Sequence, residues 1–211
     1  MVERADWDGL ADGLYEALLR LVPRVASLDQ ELAGDVANVR VAGFAGRHGF
    51  TAGEVHHLLT VSGSALAALA TEPLPSIPPD RQARFLELHD RLFPGTYYTG
   101  AQLLEMAAEG VATVLGRVAD GDLVGYAAGR IDEGGGGYLD FVGVDPGCRR
   151  RGHGRALVRA MCGALRELQP IPRLRLTVGG ANAAALELYR ELGFERTSSM
   201  VGYRRPPGAP A

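Results

Sequence analysis

Residues 138–157 read Tyr-Leu-Asp-Phe-Val-Gly-Val-Asp-Pro-Gly-Cys-Arg-Arg-Arg-Gly-His-Gly-Arg-Ala-Leu. An apolar strand ends at Val144, a Pro-Gly turn follows, and three arginines and two glycines open onto a helix. A helix N-terminus offers N–H groups without intrahelical partners and the positive end of the dipole. Gly152 and Gly154, on either side of His153, lack Cβ atoms and let backbone approach a phosphate closely. Arg149, Arg150, Arg151 and Arg155 add positive charge. The chemistry is the binding of a phosphorylated anion. Gly143, inside the strand, predicts a bulge or the close approach of a ligand.

Two common pyrophosphate motifs fit poorly. A dinucleotide fold places G-x-G-x-x-G on its first strand–helix turn. Here Leu157 stands at the third glycine, and the run comes late in the chain. A phosphate-binding loop of the Gly-Lys-Ser/Thr type needs a lysine. All 22 basic residues are arginine, which also excludes a Schiff-base lysine.

A second pattern lies downstream: Asn182-Ala-Ala-Ala-Leu-Glu-Leu-Tyr189-Arg-Glu-Leu-Gly193-Phe194-Glu195. Arg149-x-x-Gly152-x-Gly154 after Val142-Gly-Val144-Asp-Pro resembles the acyl-CoA-binding motif of the GNAT superfamily of N-acyltransferases. The downstream run is similar to that family's N-x-x-A-x-x-L-Y-x-x-x-G-F signature. The ordered pair is more specific than either alone. The resemblance extends over residues 64–205 and is best over 138–195.

The resemblance implies a mixed, mostly antiparallel α/β sheet flanked by helices, the GNAT fold. It implies acetyl-CoA as acyl donor and no metal. The motif strand would part from its parallel neighbour, and the pantetheine arm would lie along backbone of Val142, Gly143 and Val144. N–H groups of residues 150–155 would face the pyrophosphate. Asn182 and Tyr189 are seven residues apart on one helix, about 10 Å along one face. The family roles would turn Asn182 to the pantetheine arm and Tyr189 to the departing thiolate. Strand N–H groups near Val142 would polarise the thioester carbonyl. Asp140, two residues before Val142 and so expected on the same strand face, is the first candidate for the base. Glu105 and His89 are runners-up.

Around these residues the chain must build strands at about 111–119 and 123–131, joined by an Asp120-Gly121-Asp122 turn, then 138–144, 174–178 and 194–203. Helices are expected over 152–168 and 182–192, around Phe85–Leu92, and after Thr99. Residues 66–71 would be the first family strand. The stretch 51–66 reads either as a helix-turn-helix or as a strand from Val55 to Val61. Its second helix would lack Arg, Asn and Gln, so it is a poor reader of DNA. His56-His57 on a strand would point to opposite faces, against a shared metal.

The chain has 211 residues, 46% hydrophobic and 22% charged, with net charge −3. That suits a soluble globular protein without a general nucleic-acid or membrane signal. No run approaches a membrane span and the acidic start is not a secretory signal, so a cytoplasmic protein with reduced Cys148 and Cys162 is expected. Residues 1–63 form a mostly helical extension, 64–205 the acyltransferase domain and 206–211 a tail. Arg47-His-Gly-Phe50 echoes Glu191-Leu-Gly-Phe194, so the extension reads as a degenerate remnant of a second family domain. Packing on the catalytic domain, forming a homodimer and covering the acceptor site are its open roles.

The expected activity is acetyl transfer to a primary amine of a small molecule or peptide. The alternatives are a catalytically weak acyl-CoA-binding sensor, a DNA-binding regulator and a purely structural module.

Overall fold

A computed structural model describes residues 6–69 and 73–207. Its elements in chain order are α1 (Trp7–Leu21), β1 (Gln30–Asp35), α2 (Val39–Arg47), β2 (Thr51–Ser62), α3 (Gly63–Ala67), α4 (Gln82–Leu92) and α5 (Gly100–Ala108). Then follow β3 (Thr113–Ala119), β4 (Asp122–Ile131), β5 (Gly137–Val144), α6 (His153–Leu168), β6 (Arg173–Gly179), α7 (Ala183–Glu191) and β7 (Glu195–Arg205). The strands hydrogen-bond in the order β1-β7-β2-β6-β5-β4-β3, a mixed and mostly antiparallel sheet flanked by helices, as expected. Among the described residues no helix is long and apolar enough to cross a membrane.

Contacts divide the chain into two compact units. The larger comprises Leu59–Val178 and Ala183–Thr197; the smaller holds the residues up to Leu58, Gly179–Asn182 and those from Ser198.

In the larger unit β3 and β4 form a hairpin. Asp120 and Gly121 both take positive φ, 52° and 78°, the backbone of a tight hairpin turn whose twist matches the strands. Thr99 caps α5, and Gln102 returns the bond to the Thr99 N–H. Two apolar clusters form the core. Leu157, Val158, Met161 and Leu165 of α6 pack with Ala127 of β4 and Leu139 of β5. Phe85 and Leu88 of α4 and Leu103 of α5 pack with Tyr126 of β4 and Phe141 of β5. Leu139 and Phe141 are two apart yet lie in different clusters. The β4–β5 register explains this: Ala128 faces Phe141 and Gly129 faces Leu139, so Asp140 is the extra residue of a bulge. The bulge thus lies three residues before Gly143. The expectation that Asp140 and Val142 share a strand face fails for the same reason. Val142 packs with the α6 cluster, whereas Asp140 meets Tyr97, which stacks on Phe141.

In the smaller unit Tyr15 of α1 packs edge-on against Phe44 of α2 and His48 just after it, and Asp12 pairs with Arg47 and His48. Strand β1 runs antiparallel to β7, from Gln30 opposite Arg205 to Asp35 opposite Met200.

Residues 51–62 are one strand, β2, and not a helix-turn-helix. Residues 66–69 lie in α3 and the turn after it rather than in a strand; residues 70–72 are outside the described residues. The run Ser64-Ala-Leu-Ala-Ala favours helix because alanine carries the best helix propensity and little strand preference.

The echo of Gly193-Phe194 in Gly49-Phe50 extends to local geometry. Helices α2 and α7 each have nine residues. Gly49 and Gly193 follow with φ of 70° and 83°. The N–H of Phe50 donates to the Ala45 carbonyl (2.9 Å) and that of Phe194 to the Tyr189 carbonyl (3.0 Å). A strand begins at the next residue in both cases.

Candidate active site

The loop after β5 is built by its own backbone. Asp145 accepts from the Gly147 N–H at 3.0 Å and caps the turn Pro146–Cys148. Arg84 and Arg91 of α4 each donate to Asp145 Oδ2 at 2.6 Å. The Gly147 N–H and the two guanidiniums hold the Asp145 carboxyl below the usual carboxylate range. Arg149 turns back, its Nε donating to the Val144 carbonyl at 3.2 Å. Arg150 and Gly152 take left-handed φ of 63° and 82°. A Cβ at Gly152 would meet open space, so its glycine serves conformation. The N–H groups of the first turn of α6, from His153, have no carbonyl of their own helix to bond. Arg149, Arg150 and Arg151 are close beside this helix end, and Arg150 and Arg151 are exposed.

Two expected contributors are committed elsewhere. A Cβ on Gly154 would come within 3.2 Å of Leu188, so this glycine lets α6 pack on α7. The Arg155 guanidinium pairs with Glu191.

Strands β5 and β6 are parallel neighbours over three rungs only: Gly137–Leu174, Tyr138–Arg175 and Leu139–Leu176. Beyond Leu139 the two strands part. The Asp145 N–H donates to Val124 of β4, which turns the backbone groups of Val144 and Val142 to the opposite edge, toward β6. Gly143 alternates with them and its groups face β4. Its missing Cβ makes room for Leu92 and Tyr126, each of which a Cβ would meet at 2.8 Å.

Asp140 sits at the bulge with its side chain 2% exposed. Tyr97 donates to Oδ1 at 3.2 Å, and Arg130 Nε lies 3.3 Å from Oδ2. Burial pushes the Asp140 carboxyl up, against the pull of Arg130 and Tyr97. Burial and the Asp140 charge likewise raise the Tyr97 phenol. His89 is the poorer base. Its Nε2 lies 2.8 Å from the Tyr98 carbonyl, which can only accept, so Nε2 carries the proton. Its Nδ1 lies 2.6 Å from the Tyr126 hydroxyl, so both ring nitrogens are engaged. Glu105 is exposed on α5.

Tyr189 is 8% exposed, packed among the α6-side core and edge-on to Phe194 at 5.5 Å. Burial raises its phenol well above the ordinary value, so it stays protonated. Asn182 stands immediately before α7, its N–H donating to the Gly179 carbonyl at 3.0 Å. Asn182 belongs to the smaller unit and Tyr189 to the larger.

A model of the acetyltransferase (GNAT) family matches residues 81–194, more than half of the chain. The chain belongs to the GNAT acetyltransferase family. The matched span takes in the Asp145 clamp, the arginine loop, the parting strands and Tyr189. The mycothiol acetyltransferase of Salinispora arenicola is 41% identical over 69 residues, 33% of this chain and 22% of that protein. The mycothiol acetyltransferase of Salinispora tropica is 38% identical over 88 residues, 40% of this chain and 29% of that protein. The match therefore spans less than a third of either relative's length. Among solved structures, the GCN5-related N-acetyltransferase of Sphaerobacter thermophilus superposes with TM-score 0.69 at 18% identity, covering 99% of this chain and 72% of that one. That likeness bears on the fold.

Sequence reading alone did not single out Arg130, Arg175 and Thr177. They carry ordinary strand alternation, and only the β4–β5–β6 register brings them beside Tyr138 and Asp140.

Proposed function

We propose that this GNAT protein transfers an acetyl group from acetyl-CoA to a primary amine by direct attack on the thioester. The observation that carries the reading is the parting of β5 from β6 after Leu139 and Leu176, beside a helix N-terminus flanked by arginines. A strand edge that has parted from its parallel neighbour suits the amide-bearing pantetheine arm. The first turn of α6, with Arg150 and Arg151, suits a pyrophosphate.

Each residue then has a task. The Val142 N–H is directed to the gap and can polarise the thioester carbonyl. Asp140 takes the amine proton, through water where it does not reach it directly. Its raised pKa and its burial suit a base that works in a water-poor site. Tyr189, held protonated by burial, donates to the departing thiolate. Asn182 is given the pantetheine arm on its motif alone. Alignment of amine and thioester supplies much of the rate. No step uses a metal.

The likeness of α2–β2 to α7–β7, from Gly49-Phe50 to Gly193-Phe194, supports reading residues 1–63 as a reduced second copy of a family β-α-β half, attached to a catalytic region 64–205. Ala45 stands where α7 has Tyr189, so this copy lacks the proton donor.

The test is thiol release from acetyl-CoA in the presence of primary amines. Release that depends on both amine and Tyr189 supports the reading. Tight acetyl-CoA binding with no release on any amine would replace it with the acyl-CoA sensor.

A further inference from the structure

On the strand face that carries Asp140, three directly opposed residues cross three strands: Arg130 on β4, Tyr138 on β5 and Arg175 on β6. Arg130 lies over the Tyr138 ring, 5.4 Å from its centroid. The Tyr138 hydroxyl reaches across to Thr177 Oγ1 at 2.9 Å, at the point where β5 and β6 begin to part. Both arginine side chains are 32% exposed. The Nε atoms of both arginines are buried; that of Arg130 faces Asp140 Oδ2 at 3.3 Å, and that of Arg175 makes no hydrogen bond among the described residues.

The charge balance on this face is uneven. Asp132 is shared by Arg173 (3.7 Å) and Arg175 (2.6 Å) and also accepts from the N–H groups of Gly134 and Gly136. Asp140 faces Arg130 and Tyr97. Three arginines therefore meet two carboxylates, and one of those carboxylates is the proposed base. A bare ammonium approaching Asp140 meets this excess of positive charge. An acceptor with its own negative group is held by the arginines, and its amine is left beside Asp140. Arginine forks match the planar oxygen pairs of carboxylates and phosphates.

We infer that the acceptor is a primary amine carrying an anionic oxygen group, carboxylate or phosphate, a few bonds away, with Arg130 and Arg175 binding the anion and Asp140 facing the amine. This rests on the acetyltransferase reading and names the substrate class of the same site.

The experiment measures thiol release from acetyl-CoA with paired acceptors. One arm sets free L-amino acids against the corresponding amino-acid amides. The other sets phosphoethanolamine against ethanolamine. The anionic member of at least one pair should exceed its neutral partner at least tenfold in kcat/KM, and which pair does so distinguishes carboxylate from phosphate. In Arg175→Gln that ratio should fall toward one. Arg175→Lys, which keeps a cation beside Asp132, should give an intermediate ratio and serves where the glutamine variant does not fold. Equal rates within both pairs, a ratio unchanged in both Arg175 variants, or release only with amines outside both anionic sets would overturn the inference. If acetyl-CoA fails to bind at all, the acetyltransferase reading falls and this inference with it.

Discussion

The Tyr97 hydroxyl donates to Asp140 Oδ1 at 3.2 Å, joining the loop between α4 and α5 to the bulge of β5. Asp140 is thus a buried carboxylate held by the hydroxyl of an aromatic ring that stacks on Phe141. Burial raises its pKa, so its ionised form is costly in the folded protein. Its contribution to stability is fully present below the unfolded aspartate pKa, about 3.9, and is lost as pH rises through its raised folded value. Asp140→Asn should therefore melt higher than wild type at pH 7, with the gain closing below about pH 4. The same variant should lose on the order of 100-fold or more in kcat. Thermal melts and initial rates across pH check both.

Asp145 carries the opposite sign. Its lowered pKa gives stability that is present above about pH 3.9 and is lost as pH falls through the folded value. Asp145→Asn should cost on the order of 1–2 kcal/mol at pH 7 and flatten the acid side of the stability curve. Because Arg84 and Arg91 hold the loop through this carboxylate, the variant should also raise the KM for acetyl-CoA. Urea melts at several pH values, with steady-state kinetics, check this.

These two carboxylates show what was legible in sequence. The Arg149–Gly154 loop and the Tyr189 run are local patterns, and both stand on the elements expected of them. The Asp140 bulge was not legible, because it exists only in the pairing of β4 with β5. The Asp145 clamp joins residues 54 and 61 positions apart, which no local spacing reveals. Residues 66–69 do not form the strand that the family resemblance implies, because their alanine-rich run favours helix.

Gly152 and Gly154 should behave differently although they are two residues apart. Gly152→Val forces a β-branched residue into φ of 82° with no neighbour to clash. It should cost about 1–2 kcal/mol and distort the loop. Gly154→Leu instead drives a side chain into Leu188 and should cost about 1–3 kcal/mol through overpacking of α6 on α7. Calorimetric melts with and without saturating CoA separate the two. The ligand-induced rise should shrink more in the Gly152 variant.

Tyr189→Phe keeps the core packing against Phe194 and removes only the hydroxyl. Stability should change by under about 1 kcal/mol, while kcat falls about 100-fold with little change in acetyl-CoA affinity. Single-turnover thiol release beside a binding titration checks the split.

The most direct measurement is calorimetric titration of acetyl-CoA into the wild-type chain and into Gly152→Val, each shown to be folded by its melt. The parted β5–β6 edge and the arginine-flanked end of α6 predict wild-type affinity on the order of micromolar, weakened at least tenfold in the variant. A well-folded wild type that binds nothing at about a millimolar would contradict the acyl-CoA site and the acetyltransferase reading built on it.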